Sequence, residues 1–211
     1  GCYLVEENVI RSFSHDLTGQ TSVPEVLATC SANKRAQIGR AIRRYEERDG
    51  VIRCEIAATL GQALEYFSEM GELHTARWES AGVSGSFVNA DWVRFQQSVI
   101  KEGYPRNEIQ VCRVVAGDRV LGVVYNFVWR SRVYMLQTGF SPCMDKWEKS
   151  GYVSHIFCMA ANGRLGNRIY DFLMGDSEYK RSLGDSSHEL FWIVARKLTL
   201  INRLEDSLVR I

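Results

Sequence analysis

Residues 170–180 read Tyr-Asp-Phe-Leu-Met-Gly-Asp-Ser-Glu-Tyr-Lys. They bring together carboxylates that can take a proton, a phenol that can give one, and an ammonium that can meet developing negative charge. Asp176 and Tyr179 are the first candidates for base and acid, with Asp171 next and Lys180 as the stabilising or phosphate-clamping cation. Tyr170-Asp171-Phe172 also alternates as a strand would, so Asp171 equally reads as an inward hydrogen-bond acceptor. Upstream, Lys149-Ser150-Gly151 stands at a predicted helix start. There Ser can cap, Gly lets a ligand approach the backbone, and Lys adds charge to a helix N-terminus that already attracts anions. The same triplet also reads as an ordinary Ser N-cap. His74, Arg77 and Trp78 form a third group, three and four residues apart on a predicted helix. His74 on an apolar stripe is more often a satisfied core histidine than a base. His155, one turn into the helix after Lys149, reads as a packing residue.

The six cysteines, Cys2, Cys30, Cys54, Cys112, Cys143 and Cys158, are never closer than 15 residues. No CxxC exists, so neighbours build no zinc or redox motif, and no metal is expected. They read as reduced, mostly buried small hydrophobes of a cytoplasmic protein.

These groups need a scaffold, and the periodicities describe one. Ile38, Ala41, Ile42 and Tyr45 form one stripe of a helix over 33–48. Its other face carries Arg40, Arg43 and Arg44, flanked by Lys34, Arg35 and Arg48. A solvated charged face is the commoner reading of such a helix, ahead of an anionic acceptor or RNA. Val51–Ile56 reads as a short strand. Thr59 and Gln62 form a capping box for a helix with Leu60, Leu64, Phe67, Gly71, His74 and Trp78 inward. A further helix over 91–102 is expected to turn Trp92, Phe95 and Val99 inward. From Ile109 the period becomes two. Strands over 109–116, 120–129 and 133–140 form a meander, with Leu121, Val123, Tyr125, Phe127 and Trp129 sharing a face. A helix over 151–165 closed by Gly166, strands over 168–173 and 189–194, and a last helix over 197–208 complete the order. That order indicates an α+β domain with a mixed sheet.

The chain has 211 residues, 45% apolar and 24% charged, with a formal charge of +1. That composition suits a soluble globular domain and rules out intrinsic disorder. No apolar run is long enough to span a membrane as a helix. A net charge near zero argues against a nucleic-acid coat.

The stretch from Val124 to Lys180 resembles the GNAT superfamily of acyl-CoA-dependent N-acyltransferases. It is most similar to the CelD-like branch associated with cellulose and exopolysaccharide biosynthesis. The match rests on Gln137-Thr138-Gly139-Phe140, Ser150-Gly151 and the 170–180 run, with Ser31–Arg35 and Leu73-His74-x-x-Arg77-Trp78 upstream. It implies a GNAT-like, mostly antiparallel sheet flanked by helices over 31–211. Residues 1–30 are expected as a lead-in left from a longer N-terminal part.

The resemblance further implies an acyl-CoA donor, such as acetyl-CoA, and an amine acceptor on a sugar or polysaccharide-related molecule. It assigns the donor to Gln137, Thr138, Gly139, Lys149, Ser150, Gly151 and Lys180, and the acceptor to His74, Arg77 and Trp78. The Gln/Arg-x-x-Gly-x-Gly/Ala phosphate loop of the superfamily is reduced here to one glycine. A Fem-type peptidyltransferase using aminoacyl-tRNA, or a GNAT-like module without catalysis, are the alternatives.

Overall fold

The computed structural model describes residues 2–80, 82–143, 145, 147–197 and 199. The elements run β1 (Cys2–Asp16), α1 (Val23–Thr29), α2 (Ala32–Asp49), β2 (Ile52–Ile56), α3 (Leu60–Ser80), α4 (Ala90–Gly103), β3 (Ile109–Ala116), β4 (Arg119–Trp129), β5 (Arg132–Phe140), α5 (Ser150–Arg164), β6 (Ile169–Met174), α6 (Glu178–Leu183) and β7 (Ser186–Lys197). The α+β class and the mostly antiparallel sheet hold. Seven strands lie in the order β2-β3-β4-β5-β6-β1-β7. Only β5 and β6 run parallel. The expected helix over 197–208 lies outside the described residues apart from Lys197 and Thr199.

Each face of the sheet has its own core. On one, α1, α2 and α5 cover Cys112, Val114, Val124, Tyr170 and Phe172. On the other, α3 and α4 cover Ile109, Val111, Val123 and Tyr125. Two glycines set how close the helices come. A Cβ on Gly122 would lie 2.7 Å from the Ser154 hydroxyl of α5, and one on Gly139 would lie 2.4 Å from the Met70 carbonyl of α3.

Local patterning is displaced at three places. The β3–β4 register shifts between Val114 and Val115, so Leu121 joins the α5 side while Val123 and Tyr125 face α3. The single face expected for Leu121, Val123 and Tyr125 is broken by this bulge. In α4 Trp92 and Val99 pack against the core as expected, but the buried residues are Gln96 and Ile100, and Phe95 is 62% exposed. Burying Gln96 is tolerable because its Oε1 accepts a bond from the Tyr125 hydroxyl at 3.3 Å. In α3 His74 is buried as expected, but Trp78 is 40% exposed. Its indole N–H donates to His74 Nε2 at 2.8 Å. That bond keeps the His74 ring proton on Nδ1.

Candidate active site

The parallel β5–β6 pair is short. Arg132, Val133 and Tyr134 pair with Ile169, Tyr170 and Asp171, and beyond that the ladder stops. β5 stays paired with β4 as far as Phe140, and β6 follows β1, so the two strands splay. Backbone groups of β5 that point away from β4 past Tyr134 therefore face a gap.

A kink in β6 carries it away. Ser12 pairs with Met174 and Ser14 with Asp171, which leaves Phe172 and Leu173 opposite Phe13 alone. Leu173 takes φ +53°, in the left-handed region that L-residues seldom occupy. Two of the sequence candidates hold this bulge in place. Asp171, fully buried, accepts from Ser12 Oγ at 2.9 Å and from the Leu173 amide at 2.9 Å. Its other oxygen meets Arg132 Nη1 at 3.0 Å and His188 Nε2 at 3.2 Å. Lys180 donates to the Phe172 carbonyl at 2.7 Å and also reaches those of Leu173 and Met174. Burial brings the Lys180 ammonium down to about 8. Asp171, expected as a base, and Lys180, expected as a phosphate clamp, thus both spend their bonds on neighbours that shape β6. Asp176 pairs with Arg181 on the exposed surface and does not reach the gap.

Beyond the ends of β5 and β6 opens a pocket of about 670 Å³. Tyr179 from α6 and His155 from α5 line it, with Phe140 at the end of β5. Their rings form one cluster: His155 stacks on Tyr179 at 5.1 Å and 10°, and meets Phe140 and Phe172 edge-on at 5.4 and 5.6 Å. Burial pushes the Tyr179 phenol up to about 12, so it stays protonated through the physiological range. Burial, with the nearby Lys180 charge, pulls His155 down to about 3. Neither ring nitrogen of His155 has a hydrogen-bond partner among the described residues.

The imidazole is thus a neutral aromatic wall, and this makes the fold acid-sensitive. The folded state refuses a proton that the unfolded chain accepts near its ordinary value of 6.5. The stabilisation is complete above 6.5 and drains away as the pH falls from there towards 3. His155→Phe is expected to flatten the fall of melting temperature between pH 6.5 and 4, as a thermal-denaturation series at steps of pH records. An equally steep fall in the variant would show that other groups carry the acid response.

The rim brings cations. Arg77 and Lys149 both line the pocket, and neither forms an ion pair among the described residues. His74 and Trp78 do not line it and pack against the segment around Gly85 and Phe87. Gln137 hydrogen-bonds Ser86 and its own neighbour Thr138. Gly139 makes the close approach to α3 described above.

The start of α5 departs from the expected phosphate site. Lys149 is the N-cap without a side-chain bond. Ser150 lies inside the helix and donates to the Ser141 carbonyl at 2.8 Å. A Cβ on Gly151 would touch the Phe140 ring at 3.2 Å, so this glycine fits an aromatic neighbour.

The pocket wall that carries Ser141, Pro142, Glu148 and Lys149 is held through Glu148. Buried Glu148 accepts from Arg48 at 2.6 Å and Arg119 at 3.2 Å, and both arginines also meet Asp49. Sequence reasoning passed over Glu148 and gave His155 only a packing role. For His155 the signal was the aromatic set Phe140, Tyr170, Phe172 and Tyr179, which needs a partner ring. Spacing also hid a second cluster: Cys54, Cys112 and Cys158 bring their sulfurs within 4.8 Å of one another.

A family model described as an acetyltransferase (GNAT) domain matches residues 32–181. No curated protein sequence matches the chain. Among solved structures, FemX superposes with a TM-score of 0.59 at 10% identity, over 94% of this chain and 63% of its own. A conserved protein of unknown function from Bacteroides thetaiotaomicron gives 0.59 at 10% identity, over 93% and 62%. The C-terminal domain of a putative lysylphosphatidylglycerol synthetase from Agrobacterium fabrum gives 0.55 at 11%, over 99% and 66%. The chain thus spans about three fifths to two thirds of those chains, and the likeness is one of fold.

Proposed function

The chain belongs to the acetyltransferase (GNAT) domain family, and from that we propose that it is an acyl-CoA-dependent N-acyltransferase. The observation that carries the reading is the β5–β6 splay opening onto a pocket walled by the Tyr179 phenol. A thioester laid along the free edge of β5 finds backbone groups for its amides, as an added strand would. Arg77 and Lys149 at the rim suit the phosphates of the carrier.

In the transfer the acceptor nitrogen bonds to the thioester carbon and the carbon–sulfur bond breaks. Tyr179 gives its proton to the departing thiolate and regains one from solvent. The proton lost by the amine leaves through water to Glu178, which lines the mouth and is 82% exposed. An amine on a sugar or polysaccharide-related molecule is the acceptor class we assign, from the resemblance to the exopolysaccharide branch.

One observation favours a second reading, in which the donor is aminoacyl-tRNA. The N-terminus of α5 is closed by Ser150 and Phe140, whereas α2 presents Arg35, Arg40, Arg43 and Arg44 to solvent. α2 reaches the pocket through Lys34, which meets Tyr152 and Glu178.

Thermal unfolding with coenzyme A or acetyl-CoA separates the two. Ligand at about 100 times its dissociation constant stabilises by about 2.7 kcal/mol. For a domain of this size the expected rise is roughly 5–10 °C. No shift with either thioester carrier, together with salt-sensitive binding of tRNA, would replace the first reading by the second.

A further inference from the structure

Cys54 on β2, Cys112 on β3 and Cys158 on α5 meet on the α5 side of the sheet, far from one another in sequence. Their sulfurs lie within 4.8 Å of one another, and those of Cys54 and Cys158 are 3.8 Å apart. A cation bonded to three thiolates at ~2.3 Å holds the sulfurs ~3.8–4.0 Å apart, so Cys54 and Cys158 already stand at that separation and the third sulfur lies within about 1 Å of completing the triangle. Two further features suit a metal. Asn126 Nδ2 already donates towards Cys112 Sγ from 3.9 Å. Such an outer hydrogen bond orients a ligating sulfur. The Cys112 thiol now donates to Gln110 Oε1 at 3.2 Å, a bond that is given up when the sulfur loses its proton to the ion. Cys54 lies on the edge strand β2 and is only partly buried, so an ion has a way in.

We infer that Cys54, Cys112 and Cys158 form a three-sulfur site for one thiophilic divalent cation of the zinc class. The ligand set is all sulfur, which selects soft d10 ions over magnesium or calcium. A divalent ion leaves one residual negative charge on three thiolates where a monovalent ion leaves two, and burial penalises the larger charge. Binding forms three metal–sulfur bonds and releases the thiol protons to solvent. The site ties edge strand β2 and β3 to α5 and is independent of the acyl-transfer chemistry.

The test is titration of the reduced, metal-free protein with cadmium chloride, following the ultraviolet thiolate-to-cadmium charge-transfer band. The expected result is saturation at one equivalent with the intensity of three thiolates. Cys54→Ser, a change on a partly exposed edge, is expected to cut that intensity by about a third. It is also expected to weaken binding at least about tenfold. Cys30→Ser and Cys143→Ser are expected to change neither. Zinc bound first should give way to cadmium, and zinc should raise the melting temperature of the parent protein but not of Cys54→Ser. Absence of the band at one equivalent, or a band unchanged in Cys54→Ser, would overturn the site and leave the three thiols as core packing.

Discussion

Tyr179→Phe is expected to lower turnover with acetyl-CoA and an accepting amine by about 10²–10⁴-fold, the range for loss of a positioned proton donor. The substitution removes one oxygen and leaves the ring, so the stack on His155 and the edge contact with Phe172 remain. Stability should therefore be nearly unchanged, and the loss should fall on kcat with KM for the thioester held. Steady-state kinetics on both proteins read this directly. The pH profile gives a second readout. A donor held near 12 stays protonated to high pH. The alkaline limb of kcat in the parent protein should accordingly lie above the range of an ordinary tyrosine. Unchanged turnover in Tyr179→Phe would remove the phenol from the reaction and leave it as a wall of the pocket.

The second large effect concerns stability. Asp171→Ala takes the acceptor from Ser12, the Leu173 amide, Arg132 and His188 at once, at a carboxylate that is itself fully buried while Arg132 and His188 keep partial access to water. The loss is expected at or below the low end of the about 3–5 kcal/mol for breaking a fully buried pair from one side, because water can reach the Arg132 charge. Asp171→Asn should lose less, because an amide oxygen still accepts from Ser12 and Leu173. Urea unfolding should show midpoints in the order parent, Asn, Ala. Activity should fall in parallel with loss of the β6 kink, because Asp171 and Lys180 keep the strands apart where the donor is to lie. Equal midpoints for Ala and parent would mean that the kink stands without the carboxylate.

How much of this was legible beforehand differs by level. The meander, the helix closed by Gly166 and the two-sided burial of β4 follow from periodicity alone. Periodicity failed where one residue was inserted or a polar group found a partner. The bulge beside Val114 turned Leu121 to the other face, and in α4 Gln96, which accepts from Tyr125, is buried while Phe95 beside it faces solvent. Around the pocket, residue type was a good guide to who is present and a poor one to what each does. Lys180 and Asp171 look like catalytic charges in a string of letters. Only the path of β6 shows that their bonds are consumed by backbone and neighbours. Tyr179 and Arg77 reach the pocket because α6 and the end of α3 happen to face it, a long-range fact that no local spacing encodes. The cysteine cluster was invisible for the same reason.

The place of β1 in the sheet has a kinetic consequence. β1 lies between β6 and β7, so its pairs with β6 close a loop of about 150 residues. The meander β3–β4–β5 forms from neighbours in sequence and can assemble early, whereas β1 can dock only after β6 exists. During synthesis β1 leaves the ribosome long before the strand it pairs with in β6. Until it docks, the outer edge of β6 stands open with unpaired backbone groups, ready to accept a strand from another chain. Refolding yield should consequently fall with protein concentration more steeply than the final stability would suggest.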